Sequence, residues 1–64
     1  MNNKYDVNEW VIVVDNDNEV VCRVIDVFKE TWSDHERYEY TLLADDDTGR
    51  FFYFVPEECM IPFE

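Results

Sequence analysis

Hydrophobic residues along this chain fall into short runs, continuous or alternating with polar residues, and the runs are separated by clusters of Asp, Asn, Pro and one Gly. That pattern predicts short strands joined by tight turns and leaves no stretch with a helical period. Trp10 to Val14 is a continuous β-branched run that ends in Asp15-Asn16-Asp17-Asn18, residues that tolerate turn conformations, so a strand followed by a hairpin is expected. From Glu19 to Lys29 both parities are partly apolar, with Val20, Cys22, Val24 and Phe28 on one and Val21, Ile25 and Val27 on the other. A strand of roughly 11 residues at about 3.3 Å each is long for so small a chain, and it is expected to bend or bulge. Glu30 to Glu36 is polar apart from Trp32 and reads as a loop. Tyr38, Tyr40 and Leu42 then alternate with polar residues as a half-buried strand. Asp45-Asp46-Asp47-Thr48-Gly49 supplies the glycine a hairpin needs, and Arg50 to Val55 returns as an aromatic strand. Pro56 lacks an amide donor and ends that strand; Pro56-Glu57-Glu58 forms a short turn before a last strand, Cys59 to Ile61, closed by Pro62.

The fold class is therefore mainly β, a single small domain over residues 1–64 with about five strands and little or no helix. It is expected as a small barrel or a strongly bent antiparallel sheet. The segment Tyr5-Asp6-Val7-Asn8-Glu9-Trp10-Val11 is similar to the opening segment of SH3-like small barrels of the KOW and Tudor type, and Val55-Pro56-Glu57-Glu58-Cys59-Met60-Ile61-Pro62 to their closing turn and strand. Asn8 stands where that family has Gly, a replacement that a left-handed backbone tolerates. The resemblance implies an interaction module that reads a peptide or a methylated side chain through aromatic residues.

Charge changes the picture most. The 64 residues hold 16 acidic and 5 basic side chains, a formal net charge of -11, yet 47% are hydrophobic and 17% aromatic, too many for a disordered acidic tail. So negative a surface argues against direct binding of nucleic acid or anionic lipid and for a basic partner. No apolar leader precedes Tyr5, and the longest apolar run is too short to span a bilayer, so a cytoplasmic location is expected. Cys22 and Cys59, far apart and without a secretory signal, are expected to be buried free thiols.

Catalytic and metal chemistry find little footing. Asp15, Asp17 and Glu19 recur at alternate residues like the start of a calcium loop, but Val20 and Asp26 occupy the positions that need Gly and a bidentate Glu. One His and two distant Cys give no zinc spacing. Ser33-Asp34-His35 holds the residue types of a triad, but neighbours on a loop point apart. No enzyme activity, metal or cofactor is expected. Trp32, Tyr38, Tyr40 and the run Phe51 to Phe54 could form a stacking platform or a cage for a methylated side chain. Strict alternation predicts that either Phe52 and Phe54, or Phe51, Tyr53 and Val55, face the core; the other set would favour partner binding or a homodimer.

The acidic excess directs the main functional expectation. A compact chain of this length has a radius of gyration of about 11 Å and a diameter near 28 Å, over which duplex DNA carries about 16 phosphates. Same-face side chains recur every ~6.6 Å along a strand, so rigid rows of carboxylates could receive Lys and Arg as phosphates do. In size, charge and β-rich composition the chain resembles the small acidic proteins with which bacteriophages disable host DNA-binding proteins. That resemblance implies a DNA mimic in the host cytoplasm that occupies the basic surface of, for example, a histone-like nucleoid protein or RNA polymerase. The residues expected to carry the binding are the turn acids Asp15, Asp17 and Glu19, the loop acids Glu30, Asp34 and Glu36, and Asp45, Asp46 and Asp47.

Overall fold

A computed structural model describes residues 4–31 and 35–63. Five strands form one antiparallel sheet: β1 (Trp10–Asp15), β2 (Asn18–Thr31), β3 (Glu36–Ala44), β4 (Phe51–Pro56) and β5 (Met60–Pro62), with a single 3-10 turn, Glu57–Cys59, between the last two. The strand order is β4-β3-β2-β1-β5, so β4 and β5 are the two edges of an open sheet. The bent sheet, not the closed barrel, is the form this sequence takes.

Two irregularities let one sheet wrap a core. In β2 the register with β3 shifts between Val24 and Asp26, because Val24 pairs with Leu42 and Asp26 with Thr41. Ile25 is thus the extra residue of a bulge, and the inward parity passes from Cys22 and Val24 to Val27, which is how both parities of this long strand come to be apolar. In β4 a second shift sets Phe52 against Leu42 and Val55 against Tyr40. Phe54 takes a positive φ of 56° there, a conformation that a bulky residue adopts only when its surroundings impose it. Phe52 and Val55 therefore both pack on the core, and Phe51, Tyr53 and Phe54 are all exposed. The alternation expected for Arg50 to Val55 is overturned, because the bulge resets parity after Tyr53.

The core consists of Tyr5, Val11, Val13, Cys22, Val24, Tyr40, Leu42, Ala44 and Met60. Its centre is polar as well as apolar. Tyr40 is fully buried, and its hydroxyl donates to Glu57 Oε2 at 2.5 Å and accepts a long bond from the Tyr5 amide at 3.4 Å. The Tyr5 ring meets the Tyr40 ring edge-on, with centroids 5.8 Å apart, and its own hydroxyl donates to the Met60 carbonyl at 3.4 Å. Tyr5 thereby draws the chain before β1 under the sheet. The following turn is held by Asn8 N–H to the Val24 carbonyl at 2.7 Å and Val24 N–H to the Glu9 carbonyl at 2.9 Å. Asn8 has φ 77°, the left-handed conformation for which it can substitute for Gly.

Three other expectations need correction. Glu30 and Glu36 are not loop residues: β2 and β3 continue as a ladder in which Glu30 pairs with Arg37 and Thr31 with Glu36. Polar residues extend a strand when both faces meet water and the cross-strand charges are opposite. Asp34 lies outside the described residues. Both cysteines are free, but only Cys22 is buried; Cys59 is exposed on the 3-10 turn. The molecule is also longer than a sphere of its mass, with a radius of gyration of 11.8 Å and extents of 40 × 23 × 21 Å, because the β2–β3 ladder projects beyond the core.

Burial, followed by the bond to Glu57, raises the Tyr40 phenol above its ordinary value. The unfolded chain therefore releases this proton first as pH rises, and the stability tied to the neutral phenol is complete below pH about 10 and is lost progressively above it. Tyr40→Phe removes the hydroxyl that bonds Glu57 and accepts from the Tyr5 amide, at a cost of about 1–3 kcal/mol in urea unfolding at neutral pH. The variant is also expected to lose less stability than the parent between pH 9.5 and 11. Equal slopes for the two proteins would show that Tyr40 is not the group responsible.

Candidate functional site: an acidic end of the sheet

The β1–β2 turn is as tight as a hairpin can be. Asp15 pairs with Asn18, and the two residues between them, Asn16 and Asp17, have φ of 52° and 66°. Two successive left-handed residues are the requirement of the primed two-residue turn, and Asn and Asp are the side-chain-bearing residues that accept it most readily. The β3–β4 hairpin is longer. Its base is closed by Ala44 N–H to the Arg50 carbonyl at 2.9 Å, and Asp45 N–H bonds the Val21 carbonyl at 2.7 Å, which fastens the loop to β2. Asp46 Oδ1 accepts from the Thr48 amide at 2.9 Å and from the Thr48 hydroxyl at 2.5 Å, and Gly49 completes the turn at φ 67°.

These two hairpins lie at the same end of the sheet and are tied by one cation. Arg50 Nη1 is 3.0 Å from Asp15 Oδ2 and its Nη2 is 3.7 Å from Asp46 Oδ2, while the guanidinium carbon lies 5.2 Å from the Phe52 ring centroid. The Thr48 hydroxyl accepts from the Arg50 side chain at 3.3 Å and so fixes the guanidinium between the carboxylates. Six of the expected site residues, Asp15, Asp17, Glu19, Asp45, Asp46 and Asp47, are thus brought together. Asp15 is half-buried and serves as a strut; the other five are exposed. Among the described residues, Asp17, Glu19, Asp45 and Asp47 make no ion pair. The Thr48 bonds, ahead of the Arg50 charge, hold the Asp46 carboxyl below its ordinary range, so it stays ionised in mildly acidic solution.

Glu30 and Glu36 sit at the opposite end of β2 and do not join this cluster. Glu36 is bound by Lys29 at 3.1 Å, an exposed pair that raises the Lys29 pKa and contributes little to stability. Nearby, Arg37 approaches Glu39 at 3.6 Å and Glu58 at 3.8 Å. The body is 40 Å long, over which duplex DNA carries about 23 phosphates, more than the 16 acids of the whole chain. Among the described residues, the two hairpins bring six of these carboxylates to one end of the sheet.

Among the described residues no three His, Cys, Asp or Glu side chains are placed to hold a metal ion, and no helix is long and apolar enough to cross a membrane. Sequence reasoning missed Arg50 as the tie between the hairpins. The signal was its place directly after the hairpin glycine and four residues beyond Asp46, but nothing in the sequence brings Asp15 within its reach. No protein-family model, curated protein or solved structure matches this chain.

Thr48→Val removes the hydroxyl that bonds Asp46 and steadies Arg50. A carbon-detected NMR titration of the side-chain carboxyls is expected to show the Asp46 midpoint moving upward. An unmoved Asp46 midpoint would remove Thr48 as the source of its acidity.

Proposed function

We propose that this chain is an acidic competitor of nucleic acid, which occupies the basic DNA-binding surface of another protein through the carboxylates of its two clustered hairpins. One observation carries the reading: Asp17, Asp45, Asp46 and Asp47 on the two hairpin loops, and Glu19, which is not a turn residue but stands at the start of β2 opposite Val14, are exposed at one end of the sheet, where hydrogen bonds and Arg50 fix the backbone. Preset anionic groups receive Lys and Arg with little loss of conformational freedom, which is what a phosphate backbone offers. No bond is made or broken in such a function. The net charge of -11 adds long-range attraction, so association is fast at low salt and weakens as salt rises.

A second reading is favoured by the exposure of Phe51, Tyr53 and Phe54 at 47%, 63% and 60%. It is an SH3-like module that binds a peptide or a methylated side chain through these aromatics, with acidity serving only to steer. The sequence of hairpinned strands, a 3-10 turn and a last strand returning beside β1 is consistent with that resemblance. Salt and DNA separate the two readings, because an apolar groove responds weakly to both.

The test uses the purified chain as bait in a bacterial lysate, with and without excess duplex DNA. A retained DNA-binding protein that duplex DNA displaces is the expected result. Replacing Asp45, Asp46 and Asp47 together by Asn removes three exposed negative charges, which weakens capture and flattens its salt dependence. Retention indifferent to DNA, or of a partner with no DNA-binding surface, overturns the proposal in favour of the second reading.

A further inference from the structure

The face of the sheet opposite the core is unusually apolar. Val11 and Val13 of β1 point into the core, so alternation places Trp10, Ile12 and Val14 on the other face. The register sets Trp10 against Arg23, Arg23 against Leu43 and Leu43 against Phe51, one row across four strands. In the next row Ile12 lies between Val21 and Ile61. A strand that is apolar on both sides is the pattern of a strand buried on both sides. Yet Trp10 and Val14 are 40% and 55% exposed.

Area, shape and charge bear on what covers this face. Five exposed rings, Trp10, Phe28, Phe51, Tyr53 and Phe54, leave uncovered roughly half of side chains that would each bury about 150–250 Å², about 500 Å² in all. Val14 and Ile61 bring the patch close to the about 800 Å² that each partner contributes to a stable interface. The surface is broad and shallow. Its recess, bounded by Trp10, Arg23, Leu43, Ala44 and Asp45, holds about 130 Å³, room for one side chain and not for a bound segment. The two rows contain a single charged residue, Arg23, whose guanidinium already lies over the Trp10 ring at 5.7 Å. A basic partner would find carboxylates beside these two rows, at Glu19 opposite Val14, at Glu39 opposite Phe28 and at Asp45 on the rim of the recess, but none within them.

We propose that a second copy of this chain covers this face, in a twofold dimer with the two sheets back to back and their cores outward. A shallow apolar patch without a deep groove can meet its own copy about a twofold axis, where the same residues face one another. Each copy carries a charge of -11, so repulsion opposes the association. Dimerisation therefore strengthens as salt rises, the reverse of the salt response of a basic partner. The dimer face adjoins Glu19 and Asp45 of the acidic cluster, but its test reads the oligomeric state with no partner present and so is decided apart from competition with DNA.

Sedimentation equilibrium of the chain at 10 µM to 1 mM, in 0.05 and 0.5 M NaCl, tests it. The expected result is a species of twice the 7.8 kDa monomer whose dissociation constant tightens about tenfold at the higher salt. Phe51→Ser combined with Tyr53→Ser, and separately Val14→Thr, which is nearly isosteric and leaves the core untouched, are each expected to weaken the dimer. A monomer under every condition, a dimer that weakens with salt, or variants that dimerise like the parent overturns the proposal. A chain that stays monomeric and binds an amphipathic Lys/Leu peptide on this face also overturns it and assigns the face to a foreign basic partner.

Discussion

One buried phenol holds together parts of the chain that the strand ladder alone would leave apart. Tyr40 stands in the middle of β3, and its hydroxyl meets the segment before β1 through the Tyr5 amide and the 3-10 turn through Glu57. Glu57 in turn accepts from the Lys4 amide at 2.8 Å, so three stretches distant in sequence converge on one small polar site. A buried polar group is costly unless each of its bonds is made, and here the requirement acts as a specification. It fixes where the opening segment enters, where the 3-10 turn sits, and through that turn where β5 lies against β1. Without those anchors β5, three residues long and ending at Pro62, would have few interactions to hold it.

The ladder was largely legible in the sequence because strands and turns are written locally. Asn16-Asp17 and Gly49 mark the hairpins by the conformations that they alone tolerate cheaply, and Pro56 marks the end of β4 by the donor that it lacks. Asn8 at positive φ follows from the same rule. What the sequence hid is the product of packing. The parity of the aromatic strand was misread because Phe54 is forced into a bulge opposite Thr41, and no local preference of a Phe-Phe-Tyr-Phe run announces that. The extension of β2 and β3 through Glu30 and Glu36 was missed for the converse reason: a polar ladder has the composition of a loop.

The acidic residues were visible at once, but not their grouping. Asp15 and Asp46 are distant in sequence, and only the fold gives them one guanidinium to share. The division of labour that results separates charge from apolar surface. Carboxylates gather at the end that the two hairpins share, while the outer face of the sheet is rich in rings and branched aliphatic side chains. A chain this small buries only about 60% of its unfolded surface, so much of its hydrophobic content has to remain outside the core. Repulsion among so many like charges weakens the folded state and opposes unlimited association through an apolar surface of this size.

The two thiols end up in opposite chemical situations. Cys22 lies at the centre of the core with its sulfur directed to the Val20 carbonyl, and burial raises its pKa, which suppresses the reactive thiolate. Cys59 is open to water on the last turn of the chain. In the folded protein an alkylating reagent therefore meets one sulfur, and the second becomes available only when the sheet opens. The molecule contains its own clock for that opening: the ratio of singly to doubly modified chains counts how often β1, β2 and β3 part company.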